Sequence, residues 1–220
     1  MPLKGTIVPV TPFPQNCALF WDEATMRGTV IDPGGDAPKI MDAIGETGMT
    51  PTGILLTHGH LDHAGGADEL RGLWEAKSGA RLPIVGPGEE DRAILQDIEA
   101  KALTYGLRGM RNVLPDRWLK EGDTVEIGGE PFAVLHCPGH TPGHMVFVSE
   151  DLRFAVVGDV LFQGSVGRTD FSYGDHEALV DSIRAKLFPL GDDIAFVCGH
   201  GPGSTFGEER KGNPFVGDGV

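Results

Sequence analysis

The sequence is short of cations, of cysteine and of long apolar runs, and each shortage narrows what the chain can do. Lysine and arginine number 18 against 32 aspartates and glutamates, a formal charge of −14 at pH 7. A surface of that sign repels polyanions, which argues against nucleic acid or an anionic membrane as the main partner. No segment approaches the ~20 consecutive apolar residues of a membrane span. The proline-rich start, MPLKGTIVPVTPFPQN, lacks the apolar stretch of a secretory signal. The expected location is the cytoplasm and the expected partner is a small molecule. Cys17, Cys137 and Cys198 are the three cysteines, widely spaced and without a CxxC pair, so buried free thiols are expected and not a disulfide framework or a cysteine zinc site.

What is present is enough apolar material for a core. At 220 residues and 40% hydrophobic content, the chain reads as a single domain over 1–220. Alternating or short apolar runs predict strands at Thr6 to Val10, Cys17 to Trp21, Gly28 to Ile31 and Gly53 to Leu56. Similar runs follow at Thr124 to Ile127, Phe132 to His136, Met145 to Val148, Phe154 to Val157 and Ile194 to Val197. Apolar residues recurring at three and four predict helices through Ile40 and Ile44, through Leu70 and Trp74, and through Ile94, Leu95 and Ile98. A fourth runs from an Asp175 cap through Leu179, Ile183 and Leu187 to a stop at Pro189.

Three of the eight histidines fall within six positions, in the stretch THGHLDHAGG over 57–66. In an extended segment alternate side chains share a side, so His58 and His60 can converge on one ion. A helix would set them about 200° apart. Asp62 and His63 are adjacent and cannot both continue the alternation, so a turn there lets them reach a second ion. Neutral imidazole and carboxylate are donors that zinc, iron and manganese accept. A hydrolytic ion usually takes three protein ligands, so further donors are needed. His140 in HCPGHTPGH, Asp159 in VVGDVLF and His200 in VCGHGPG each stand where an apolar strand emerges beside glycine. His136, His144 and His176 are weaker: a strand end, a turn or orienting residue, and a surface helix start.

These residues resemble the metallo-β-lactamase superfamily, whose HxHxDH motif and distant His, Asp and His are matched by His58, His60, Asp62, His63, His140, Asp159 and His200. GSVGRTDF (164–171), CGHGPGSTFGEER (198–210) and NPFV (213–216) are similar to the short bacterial glyoxalase II-like hydrolases. The resemblance implies an α/β (α+β) class fold, an αββα sandwich of two mixed sheets flanked by helices, with two divalent metal ions at one edge. It assigns His58, His60 and His140 to one ion and Asp62, His63 and His200 to the other, with Asp159 bridging. Zinc is the first expectation, with iron or manganese as alternatives.

The implied reaction is thioester hydrolysis by a hydroxide bridging the metals, with S-D-lactoylglutathione or a related small thioester as substrate. Asp62 would orient the nucleophile as well as hold an ion. Arg168 is the basic residue placed near the substrate, a brace to Asp170 being the other reading of the same side chain. A mononuclear iron persulfide dioxygenase resembles the chain as well and would use only His58, His140 and Asp159. A lactonase and a non-catalytic metal-binding module complete the alternatives.

Overall fold

A strand that is apolar at nearly every position must be covered on both faces, and that requirement builds this molecule. The computed structural model describes residues 3–220. Its first half contains β1 (Leu3–Val10), β2 (Gln15–Asp22), β3 (Arg27–Ile31), α1 (Ala37–Thr47), β4 (Thr50–Leu55), α2 (Leu61–Ala64), α3 (Ala67–Ser78), β5 (Ile84–Gly88), α4 (Arg92–Leu95), α5 (Ile98–Thr104) and β6 (Arg117–Leu119). The second half contains β7 (Thr124–Ile127), β8 (Glu130–His136), β9 (Met145–Ser149), β10 (Phe154–Val156), β11 (Leu161–Phe162), β12 (Ser165–Val166), α6 (His176–Ser182), β13 (Ala195–Val197), β14 (Ser204–Thr205) and α7 (Phe206–Gly212).

The first six strands form one sheet in sequence order. It is antiparallel from β1 to β3 and parallel from β3 to β6. The second sheet runs β14-β13-β10-β9-β8-β7, with β10 and β13 parallel and its other pairs antiparallel. Strand β2 shows why four layers arise. Its Cys17 and Leu19 pack with Ile40, Ile44, Leu70 and Trp74 of α1 and α3, while Ala18 and Phe20 face the other sheet. Likewise Met145 and Phe147 of β9 join the core between the sheets, and Val146 and Val148 pack with Leu179 of α6 and Phe206 of α7. The result is the expected αββα sandwich of two mixed sheets. Phe147 is fully buried in the central layer, so Phe147→Ala should cost ~3–5 kcal/mol, read as a lower urea midpoint at unchanged slope.

Several elements differ from the sequence reading. The helix expected through Ile94 and Ile98 is broken into α4 and α5. Helix α6 begins with Asp175 accepting the Ala178 N–H, as expected of a cap, but then widens into a π turn at Ile183–Leu187. It tightens into a 3-10 turn at Phe188–Leu190 that contains Pro189, because proline's missing N–H is tolerated in a first turn. Strands β5, β6, β11, β12 and β14 lie outside the sequence reading: β5 reads IVGPG and the others are two or three residues long, too short for an alternation signal. All three cysteines are free and buried, and burial pushes the Cys137 thiol up to about 12.

Strand direction decides where the site lies. Parallel pairing of β3 with β4, and of β10 with β13, brings the carboxyl ends of each pair to one edge. Strand β8 runs with β10, since both are antiparallel to β9. Asp32, His58, His140, Asp159 and His200 all follow one of these five ends. The start of β2 clasps the edge from the first sheet: the Asn16 N–H donates to the Gly199 carbonyl at 2.8 Å, and its side-chain amide donates to those of Cys198 and Gly201.

Candidate metal centre

His58 and His60 lie beyond the last paired residue of β4, so the pleat expected to align them is absent. Side chains anchor this stretch in its place. The buried Asp32 carboxylate accepts the Thr57 N–H at 2.7 Å and the Thr57 hydroxyl at 2.6 Å, and Asp91 accepts the Gly59 N–H at 2.8 Å. Asp91 also accepts from the Thr141 hydroxyl and the Gly143 N–H, which ties the His58 loop to the His140 loop. The expected turn at Asp62 and His63 is the single helical turn α2.

The first group is His58, His60 and His140. His60 Nδ1 lies 3.1 Å from His58 Nε2 and 2.9 Å from His140 Nε2. Two nitrogens each ~2.1 Å from one ion sit ~3.0–3.4 Å apart at octahedral or tetrahedral angles, so one ion fits between them. The tautomers follow from the outer contacts. His140 Nδ1–H donates to the Arg168 carbonyl at 2.8 Å. Thr57 spends its hydroxyl hydrogen on Asp32, so His58 Nδ1–H donates to Thr57 Oγ1 at 3.0 Å. Both rings therefore aim lone pairs inward, where a cation is the natural partner.

The second group is Asp62, His63 and His200. His63 Nε2 lies 3.4 Å from His200 Nε2, which lies 3.3 Å from Asp62 Oδ2. His63 Nδ1–H donates to Asp32 at 2.9 Å and His200 Nδ1–H to the Phe13 carbonyl at 3.0 Å, again turning Nε2 lone pairs inward. Asp159 faces both groups. Its Oδ1 is 3.3 Å from His63 Nε2, and its Oδ2 is 3.5 Å from His140 Nε2 and 3.6 Å from His200 Nε2. Oδ1 is buried without a well-formed hydrogen bond, a cost a cation would remove. Space is held open by glycine: a Cβ on Gly199 would sit 2.0 Å from Asp159 Oδ1 and 2.5 Å from His63 Cε1.

The electrostatics divide the same way. Burial, then the His140 ring, pushes His60 down to about 3, and burial with the neighbouring imidazoles holds His58 well below its ordinary value. Burial opposes charge on His63, but Asp159 and Asp32 outweigh it and raise the ring well above the ordinary value. Burial alone would raise Asp159, but His63, His140 and His200 hold it far below the usual carboxylate range. A proton on His63 answers the same demand for positive charge that a divalent cation would answer.

All seven sequence-selected donors come together at this edge. Arg168 is placed differently from a free substrate cation: its guanidinium is exposed and doubly bonded to Asp170 at 2.7 and 2.8 Å, and it is the main-chain carbonyl that reaches the site, at His140. The sequence reading missed Asp32, Asp91 and Tyr173, while His144 takes the orienting role that was one of its two readings. His144 Nε2 accepts the Asp159 N–H at 3.0 Å and its ring stacks on His58 at 4.7 Å. Asp32 groups with His58 and His63 as a third set of close donors. Its oxygens, however, already accept three hydrogen bonds, which makes it an orienting carboxylate.

The sequence profile of the metallo-β-lactamase superfamily matches residues 10–200. The chain belongs to that superfamily. The hydroxyacylglutathione hydrolase GloC of Haemophilus influenzae is 44% identical over 96% of each chain. A probable metallo-hydrolase of Bacillus subtilis, YqgX, is 36% identical over 97% of this chain and 98% of that one. Two solved structures share the architecture. BLEG-1, described as a B3 metallo-β-lactamase, superposes with a TM-score of 0.85 at 33% identity over 97% of this chain and 99% of that one. The di-iron-bound form of TTHA1623 gives 0.82 at 34% identity over 96% and 100%. The protein is a metallo-β-lactamase superfamily hydrolase, and its histidine and aspartate clusters are consistent with a two-metal site. The donor set has no sulfur, since Cys198 Sγ turns away to the His200 and Pro202 carbonyls. Zinc, iron and manganese all suit it.

Proposed function

We propose that the chain hydrolyses a small thioester of the acylglutathione type at a two-metal site formed by His58, His60 and His140 on one side and Asp62, His63 and His200 on the other. The observation that carries the reading is the Asp159 carboxylate, which faces both nitrogen groups from the floor between them. Likeness to GloC supports the substrate class. When bound, the ions supply Lewis acidity toward a thioester carbonyl and water made nucleophilic near neutral pH.

The chain's own residues would do the rest. Asp62 would hold its ion together with His63 and His200 and would orient the attacking water. Asp32, Thr57 and His144 fix the rings and the Asp159 main chain, so the donors need not reorganise during the reaction. Arg168, committed to Asp170 and lying 4.7 Å over the Phe171 ring, would meet substrate only through its remaining exposed face. The net charge disfavours nucleic acid as a partner, in keeping with a small-molecule substrate.

The test is metal-dependent turnover of S-D-lactoylglutathione, followed by thiol release. Chelation should lower the rate by ~10³-fold or more, and about two equivalents of zinc, iron or manganese should restore it. A protein holding two ions but cleaving no thioester would defeat the substrate reading. One bound iron with oxygen uptake on glutathione persulfide would favour the dioxygenase instead, and turnover confined to lactones would favour a lactonase.

A further inference from the structure

Three of the histidines facing the ion positions are steered from outside by main-chain carbonyls or by Asp32: His140 by Arg168, His200 by Phe13 and His63 by Asp32. His60 has a different partner. Its outer Nε2 lies 2.8 Å from the Tyr173 hydroxyl, a residue 113 positions away in the loop before α6. Tyr173 stacks on Phe171 at 5.3 Å and 16°, and Phe171 in turn packs on His60 at 4.8 Å and on His140 edge-on at 5.7 Å. The guanidinium of Arg168 covers Phe171. An aromatic clasp from residues 168–173 therefore closes the outer side of the first nitrogen group and leaves the second untouched.

We infer that Tyr173 is a positioning residue: its hydroxyl accepts the His60 Nε2–H, and so fixes the tautomer in which Nδ1 offers its lone pair to the first ion. The chemistry requires such an acceptor. A neutral imidazole has one N–H, and if that hydrogen moved to Nδ1 it would point at His58 Nε2 and His140 Nε2, 3.1 and 2.9 Å away, and occupy the place of the ion. Outer partners of this kind change ion affinity by ~10–100-fold when removed.

The inference rests on the two-ion part of the proposed function and not on the thioester. The consequence is that one ion position depends on Tyr173 and the other does not. In Tyr173→Phe the stack on Phe171 is kept and only the hydroxyl is lost. Chelator competition on the zinc-loaded full chain should show one of the two ions weakened by ~10–100-fold and the other within about twofold. Histidine nitrogen NMR should show the His60 Nε2 proton protected from exchange in the parent and exposed in the variant. Phe171→Leu, which loosens the clasp without touching a donor, should weaken the same ion by a smaller factor. Both ions unchanged in Tyr173→Phe, or both weakened equally, would overturn the role of Tyr173. A parent chain that binds no ion would overturn the two-metal reading with it.

Discussion

Asp159→Ala should empty both ion positions and lower kcat/KM on thioester by ~10³-fold or more, the loss of at least ~4 kcal/mol of transition-state stabilisation. Each of the other six donors serves one group, whereas Asp159 stands 3.3 to 3.6 Å from nitrogens of both. Its removal takes away one of the two donor carboxylate charges that would offset the ions and the group that spans the two positions, and five inward imidazole lone pairs are left with Asp62 as the remaining donor carboxylate. Asp159→Asn is the sharper comparison, since it keeps the shape and the main-chain N–H held by His144 while it removes the charge. Metal analysis by mass spectrometry on the purified variants, beside the rate, checks it. A variant with two ions and parental turnover would end the bridging assignment.

His58, His60, Asp62 and His63 are legible as a crowded motif, and His140, Asp159 and His200 because each stands where an apolar run stops beside glycine, which marks the end of a buried strand. Asp32 carries the same mark, following Val30 and Ile31 and preceding Pro33, Gly34 and Gly35. It belongs to neither the HxHxDH motif nor the distant His, Asp and His of the superfamily pattern. The two-faced burial of β2 and β9 was likewise visible as unbroken apolar runs. What was hidden is long-range. Tyr173 and Asp91 act on His60 and Gly59 from 113 and 32 residues away, and neither belongs to a local pattern that announces a partner. The alignment of His58 and His60 was foreseen correctly for the wrong physical reason: side-chain anchors on Thr57 and Gly59 set it, where strand pleating was expected. Arg168 shows the reverse case, a charged side chain that drew attention while its carbonyl made the contact.

Asp32→Asn should weaken the ion held by His63 by ~10–100-fold and lower kcat/KM by ~10³ to 10⁴, although no atom of Asp32 is proposed as a ligand. Asp32 Oδ1 accepts the Thr57 N–H, while Oδ2 accepts both the Thr57 hydroxyl and His63 Nδ1–H. An amide has one acceptor oxygen. If its NH2 replaces Oδ1, two donors face each other in a buried site, at a cost of ~1–3 kcal/mol. If it replaces Oδ2, the Thr57 hydroxyl can reverse and accept, but the His63 proton must move to Nε2, where it points into the position the ion needs. The second arrangement sets no two donors against each other and displaces only the Thr57 hydroxyl hydrogen, which can rotate, so the wrong tautomer should prevail and the protein should stay folded. Chelator competition and steady-state rates on the folded variant decide the matter. Parental ion affinity with parental turnover would show that His63 does not depend on Asp32 for its tautomer.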